Sequence, residues 1–462
     1  MSPSRLSALD AAFLSLEREH APMHVGWAAL FAPRADGSRA HFDEIRAHVE
    51  SRLHRAPRYR QRLAEVPFGI GDPVWIDETD FDITRHVRPA EHGDFGRLVD
   101  EVLSTPLDHG HPLWELWIIE ETEDGHVGVV GKAHHCLVDG LAAVELMALL
   151  LDPTPDTEPG TDHGWEPRSP PSGVELLRAS VHHDLSQALG LATLPLRWAR
   201  EPGRLLDVAD QTWRAARHLT RTVVPLAPPS RLNGVMPAAR HLAWHSRPMD
   251  DLKTIKRRFD TTVNDILLTA SAGALRGLAV DRNEPLRDVK AMVPVSVDAP
   301  DEKWGNRIVF LFVELPCDES DPVWRLRDIH VAMRDRKRAG EPEGADAVLN
   351  AVSYAPRPLR RLASKVIASP QLSNLTISNI PGPQAPVYLL GCEAKHAYPV
   401  VPLTDGHGIS IGMTTIHRRA CFGVYAQAEF AADADRVARG IGDEIEALLE
   451  RSAVSGAAPR RR

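Results

Sequence analysis

Four strand-like runs crowd the last third of the chain with no helical stretch between them: "LTISNI" (375–380), "VYLLGCEAKHAYPV" (387–400), "GISIGMTTI" (408–416) and "CFGVYAQAEF" (421–430). A doubly wound parallel sheet needs a crossover helix between successive strands, so runs set this close restrict the chain to antiparallel or mixed sheets. Two further runs, "DVKAMVPVSV" (288–297) and "NRIVFLFVEL" (306–315), follow the helical pattern of "TVNDILLTASAGALRGLAV" (262–280). The first half repeats the mixture: "HVGWAALFAP" (24–33) reads as a strand, and "HFDEIRAHVESRLHRAPRYRQRL" (41–63) has apolar residues at helical spacing up to Pro57. "LWELWIIEE" (113–121) and "GHVGVVGKAHH" (125–135) flank "TEDG", whose Asp-Gly pair predicts a hairpin.

At 462 residues the chain is too long for one ordinary core, and two domains are expected. Residues 152–173, "DPTPDTEPGTDHGWEPRSPPSG", break every regular pattern and read as a loop or linker. Residues 174–224 are mainly helical, interrupted at Pro195 and Pro202. They predict a connector packed across two domains; a membrane-surface helix is the alternative. The resulting division is 1–151, a linker and helical connector at 152–235, 236–450 ending in an amphipathic helix, and a frayed basic tail at 451–462. The fold class is α/β of the α+β kind, and no repeat of fixed period occurs.

One short stretch concentrates chemistry. "GKAHHCLVDG" (131–140) sets His134 and His135 at the end of a predicted strand, with Asp139 placed to cap the apolar helix that follows. Both histidines could simply bond backbone. A zinc site could use His135 and Asp139, four residues apart on one helix face, but a two-His site is weakened because the strand neighbours His134 and His135 face opposite sides, and no third ligand lies at short spacing. A general base needs one imidazole only, and a strand-to-helix loop aims it well. The positive end of the next helix favours the neutral ring. Asp139 would cap that helix and pair with an arginine, or contact His135 directly.

Composition narrows the partners. Net charge is -9 with no long basic block, which argues against nucleic acid. Cys136, Cys317, Cys392 and Cys421 form no C-x-x-C pair and read as free thiols in a reducing compartment. The first twenty residues turn charged too quickly for a secretory signal, and no window approaches the roughly 18 apolar residues of a membrane span. A cytoplasmic protein is expected.

"HHCLVDG" is similar to the H-H-x-x-x-D-G motif of the chloramphenicol acetyltransferase superfamily of CoA-dependent acyltransferases, which includes peptide-synthetase condensation domains. Its Cys136 stands where that motif most often has alanine. The wider pattern resembles the bacterial wax ester synthase / acyl-CoA:diacylglycerol acyltransferase family. "LSALDAAFLSLEREHAPMHVG" looks like its opening, and "HPLWELW" carries its P-L-W motif as Pro112, Leu113 and Trp114. Asn264 and Asp265 match its N-D motif, "SNIPGP" supplies Asn379, Pro381 and Gly382, and "YPVVPLTDGHGISI" supplies Asp405 and Gly406. These motifs occur in the family's order.

The resemblance implies two chloramphenicol acetyltransferase-like domains with an active-site tunnel between them. It implies His135 as general base, His134 and Asp139 in orienting roles, and Gly140 as part of the motif. Acyl-CoA would be the co-substrate, with no metal or other cofactor. The acceptor would be diacylglycerol or a long-chain alcohol, giving triacylglycerol or wax ester. Water-insoluble products imply a peripheral place on the inner membrane face or on lipid bodies. Trp114 reads equally as a core residue or a wall of the site, and Asn264 as the cap of its helix. "NIPGP" reads as a rigid turn, and Asp405 and Gly406 as structural. A condensation-type or complex-lipid acyltransferase, or a non-catalytic lipid-binding protein on this fold, are the alternatives.

Overall fold

The structure is a computed structural model. It describes residues 4–91, 93–137, 149–156, 164–182, 185–186, 220, 225–234, 237–298, 306–353, 355 and 357–453. The connector 187–219, the stretch 138–148 and the basic tail beyond 453 lie outside the described residues.

Among the described residues, two six-stranded mixed sheets carry the fold. The first runs, edge to edge, β12 (Tyr388–Leu389), β13 (Cys392–Val400), β2 (His24–Phe31), β7 (Val127–His134), β6 (Trp114–Ile119) and β5 (Val87–Pro89). Every pair is antiparallel except β5 with β6. The second runs β10 (Asn306–Leu315), β9 (Val289–Asp298), β11 (Leu375–Ile380), β14 (Ile409–Ile416), β15 (Arg419–Gln427) and β8 (Arg240–Pro248). Here β11 is parallel to both neighbours and the rest are antiparallel. A small sheet of β1 (Ser4–Arg5), β4 (Val74–Asp77) and β3 (Gln61–Ala64) lies beside the first. The hairpin at "TEDG" closes with Gly125 N donating to Thr122 O (2.8 Å).

Strands β12 and β13 belong by position to 236–450, yet they complete the first sheet. Ala397 to Val400 pair with Ala29 to Gly26 on β2. The reason is burial: Tyr398 and Val400 enter a third core with Ala28 and Val130 of the first sheet and Leu242 and Tyr425 of the second. A strand that served only one sheet would leave that shared face wet.

Three helices position the site. α1 (Ala8–Leu16) starts with a capping box in which Ser7 and Asp10 satisfy each other's backbone N–H. α2 (Phe42–Arg52) packs Ile45 and Val49 onto the core beneath the first sheet. α3 (Phe95–Ser104) buries Phe95, Leu98, Val99, Val102 and Leu103, the stripe expected of a helix lying against a core. It ends on Lys132 of β7, whose buried ammonium donates to Val102 O (2.9 Å) and Thr105 O (2.7 Å). That placement matches a cation to the negative end of the helix.

Further along come α4 (Met249–Phe259), α5 (Val263–Asp281), α6 (Pro322–Arg338), α7 (Glu341–Ser353), α8 (Arg357–Ile367) and α9 (Ala431–Ala453). α5 and α9 pack on each other and share a core with the second sheet. Asn264 does not cap α5: Thr262 does, its hydroxyl accepting from Asp265 N (3.1 Å) while Asp265 Oδ2 accepts from Thr262 N (2.9 Å). The T-x-x-D spacing supplies both halves of a reciprocal cap, which a lone Asn two residues later cannot.

Candidate active site

The first histidine ends β7 and is locked. Antiparallel pairing sets His134 opposite His24, and His134 N donates to Leu113 O (3.0 Å) of the P-L-W stretch. The chain then turns at once: Cys136 N donates to His134 Nδ1 (3.0 Å) and Leu137 N to His134 O (2.9 Å). Because Nδ1 accepts, the ring proton of a neutral His134 sits on Nε2. That nitrogen is fully buried and 3.6 Å from Glu17 Oε2, too long for a hydrogen bond but well placed for electrostatic attraction.

Glu17 is shared between two rings. The same oxygen lies 2.9 Å from His109 Nε2. Burial alone would raise the Glu17 pKa, but His109 and His134 together hold it well below the usual carboxylate range. His109 is pushed up in return, chiefly by its bond to Glu17. Glu17 follows α1 directly as its C-cap, with its N–H bonded to Phe13 O (3.3 Å).

The second histidine is the less committed one. His135 N donates to Met23 O (2.8 Å), which fixes its backbone. Its ring stacks on Phe13 of α1, centroids 3.6 Å apart and planes 19° from parallel. Burial pushes its pKa down to about 4, against a small opposing pull from its own backbone, and His134 lowers it further. Nδ1 is buried with no hydrogen-bond partner. His135 is therefore a neutral imidazole at neutral pH, able to accept a proton. Beneath the pair, His24 is also held neutral, first by burial and then by the charge of Lys132.

The other predicted residues divide into groups. Asp139 and Gly140 lie outside the described residues. Pro112, Leu113 and Trp114 are buried. Trp114 is a core residue: its indole donates to Tyr59 O (2.8 Å) and stacks on His86 with centroids 4.7 Å apart. Asp265 is buried and faces His330 Nδ1 at 2.8 Å. Asn379 and Pro381 are exposed at the end of β11. Gly382 packs so closely on β14 that a Cβ would stand 1.9 Å from Thr415 O. Asp405 is exposed, 3.1 Å from His20 Nε2, and Gly406 adopts φ +86° against Pro370. Among the described residues no hydrogen bond or ring contact joins Asn264, Asp265, Asn379 or Asp405 to His135.

Two supports, Phe13 and Glu17, were not anticipated from sequence. The capping box Ser7-x-x-Asp10 marks the helix that carries Phe13, but nothing local says what that helix faces. Among the described residues no group of three His, Cys, Asp or Glu side chains is arranged to hold a metal.

Comparison with known proteins follows the same outline. The family model for the wax ester synthase/diacylglycerol acyltransferase catalytic domain matches residues 6–267, and the one for the WS/DGAT C-terminal domain matches 304–449. A probable diacylglycerol O-acyltransferase of Mycobacterium tuberculosis is 29% identical over 462 residues, covering 96% of each chain. A putative diacylglycerol O-acyltransferase of Mycobacterium bovis is 31% identical over 437 residues, covering 91% of this chain and 85% of that one. In structure, the wax ester synthase/diacylglycerol acyltransferase of Marinobacter aquaeolei superposes with a TM-score of 0.68 at 23% identity, over 98% of this chain and 100% of that one. The trichothecene 15-O-acetyltransferase of Fusarium sporotrichioides superposes with a TM-score of 0.57 at 12% identity, over 96% and 94%.

Proposed function

The chain belongs to the wax ester synthase/diacylglycerol acyltransferase family, and from that premise we propose that it moves a long-chain acyl group from acyl-CoA to the hydroxyl of a diacylglycerol or a long-chain alcohol, with His135 as general base. That the protein is an acyltransferase follows from the family; donor, acceptor and base are the proposal. The observation that carries it is the asymmetry of the histidine pair. His134 is bonded into the turn and faces Glu17, whereas His135 is a neutral ring held by a stack on Phe13.

The reaction is written on His135 Nε2. The acceptor hydroxyl gives its proton to that nitrogen as its oxygen bonds to the thioester carbonyl carbon. The tetrahedral oxyanion then collapses, the carbon–sulfur bond breaks, and the departing CoA thiolate takes the proton back from His135. Atoms and charge balance with no covalent enzyme intermediate and no cofactor. His134 acts as a positioning residue: its bonds to Leu113 O and Cys136 N set the backbone from which His135 projects. A tunnel between the two halves, reached by the thioester from one side and the alcohol from the other, belongs to this reading. So does a peripheral place on the inner membrane face or on lipid bodies, because the products do not dissolve in water.

The test is CoA release from palmitoyl-CoA by the purified protein, with hexadecanol or dioleoylglycerol in parallel. Acceptor-dependent release that drops by about 10²–10⁴-fold in His135→Ala is expected, the usual contribution of a positioned base. Equal release from the variant removes His135 from the mechanism. Release with an amine acceptor alone would move the protein to amide formation.

A further inference from the structure

α8 carries Arg357, Arg360, Arg361 and Lys365 and no acidic residue, in a chain whose net charge is -9. Its two faces are unlike. The inner one packs against α1, where Ala8, Ala11 and Ser15 share a narrow crevice with Arg357 and Arg360. Both of those arginines are held by Asp72, at 2.7 and 2.6 Å. The outer face presents Leu359, Leu362 and Val366, with relative exposures of 57%, 59% and 49%, and the exposed Lys365 at its edge, while Arg361, also exposed, borders the crevice against α1. Leucines three residues apart and a valine four further on form one stripe on a helix.

A second apolar element adjoins this helix. The loop 67–70 is tied to it by Arg357, which donates to Gly69 O. At its tip Phe68 is 88% exposed and sits at φ 61°, a left-handed conformation unusual for an aromatic residue, with Ile70 40% exposed nearby. A water-facing surface has no use for a strained, projecting phenylalanine next to a leucine stripe.

We propose that the outer face of α8 together with the loop at Phe68 docks the protein on an anionic phospholipid surface. Charge complementarity selects this occupant: an apolar stripe on a helix that carries exposed Arg361 and Lys365 and no acidic residue, in an otherwise acidic protein, suits apolar insertion between negatively charged headgroups. The placement also has a consequence for the site. α8 packs on α1, and α1 carries the Phe13 that stacks on His135, so the docked face lies one helix behind the reacting histidine. A lipid acceptor would then approach from the surface it is dissolved in. The inference rests on the peripheral location in the proposed function and specifies where that contact is made.

The experiment is co-sedimentation of the full chain with vesicles of phosphatidylcholine alone or mixed with phosphatidylglycerol. The double variant Leu359→Ser/Leu362→Ser should lose roughly tenfold in partitioning per leucine removed. Arg361→Gln/Lys365→Gln should lose about fivefold per charge on the anionic vesicles only, abolishing their advantage. Acyl transfer to a short alcohol in free solution is measured alongside and should be unchanged in both variants. Variants that sediment like the parent overturn the proposal; so does parent protein that ignores vesicles while still transferring acyl groups. A parent that self-associates through this face, with both variants monomeric and vesicle binding intact, assigns it to a second copy instead and likewise overturns it. Vesicle binding lost in the variants of a protein that transfers no acyl group would keep the docking face and sink the proposed reaction, so the two readings fail separately.

Discussion

Phe13→Ala should move the acid limb of catalysis, and the size of the move can be worked from the site. His135 has its pKa pushed down to about 4, first of all by burial, and the ring of Phe13 lies flat on it at 3.6 Å. Removing that ring admits water to the face it covers and lets the imidazole return toward its ordinary value of about 6.5. The neutral ring is the competent base, so activity is lost as pH falls through the pKa, not as it rises. At pH 5.5 a base of pKa 4 is about 97% neutral and one of pKa 6.5 about 9%, so kcat/KM should fall about tenfold in the variant if the shift is fully relieved. Above pH 8 this cause contributes nothing. The assay is kcat/KM against pH, with released CoA quantified by chromatography because thiol reagents lose reactivity in acid. Phe13→Leu keeps an apolar cover and should retain most of the low limb. A parent enzyme whose limb already lies near 6.5, or a Phe13→Ala limb still near 4, refutes the assignment of burial as the cause.

Gly382→Ala should destabilise the fold by roughly 3 kcal/mol or more, because its Cβ would meet the main chain at Thr415 O, on a strand paired on both sides, rather than a yielding side chain. A denaturation midpoint equal to the parent's would show that the turn is not seated on β14. Separately, the buried His86 has its pKa held at about 4, chiefly by burial, so the stability it confers is complete above pH 6.5 and declines as pH falls toward 4. The 2.5-unit difference corresponds to about 3 kcal/mol. His86→Phe should therefore show a shallower loss of stability between those pH values, measured by urea unfolding, and an unchanged slope would discount the buried imidazole.

Much of this architecture was legible because its signals are local. Alternating apolar residues and the Asp-Gly turn marked β6 and β7, and the back-to-back runs after 375 marked β11 to β15 without intervening helices. What stayed hidden is non-local. Periodicity identifies 388–400 as strand but contains nothing about which sheet it joins, and it joined the first one through residues more than 350 positions away in sequence, such as Pro399 on Trp27. The cap of α5 is different in kind: the T-x-x-D pair Thr262 and Asp265 is a local signal, and it competes with Asn264, itself a good capping residue type, within the same four positions. For the site, the strand end and turn that aim His134 and His135 were in the sequence. Phe13 and Glu17 were not, because a stack and a buried carboxylate depend on where α1 is laid down.

The placement of α1 explains why the opening of the chain matters so much to a centre more than a hundred residues later. The helix has nine residues, none of them fully buried. Helices shorter than about 12–15 residues are marginal alone even with good propensity, so its capping box cannot hold it in place unaided. What fixes it is contact at both ends of the segment. Phe13 lies on His135 and Glu17 faces His134, while four residues onward Ala21 N bonds Arg18 O to turn the chain. His20 then meets Asp405 through its ring, and its carbonyl accepts from Arg240 Nη2 (2.6 Å) of β8. Met23 O takes the His135 N–H, and His24 opposes His134 across β2 and β7. One segment of about seventeen residues thus touches the neutral histidine, its locked neighbour, the late Asp-Gly turn and the first strand of the second sheet. Since each contact is with a different part of the chain, the seat of the segment is complete only in the full fold, with both sheets in place. The low pKa of His135 is then a property of the completed fold: burial sets it, and the Phe13 ring that covers the imidazole belongs to the same segment whose Met23 O holds the His135 backbone.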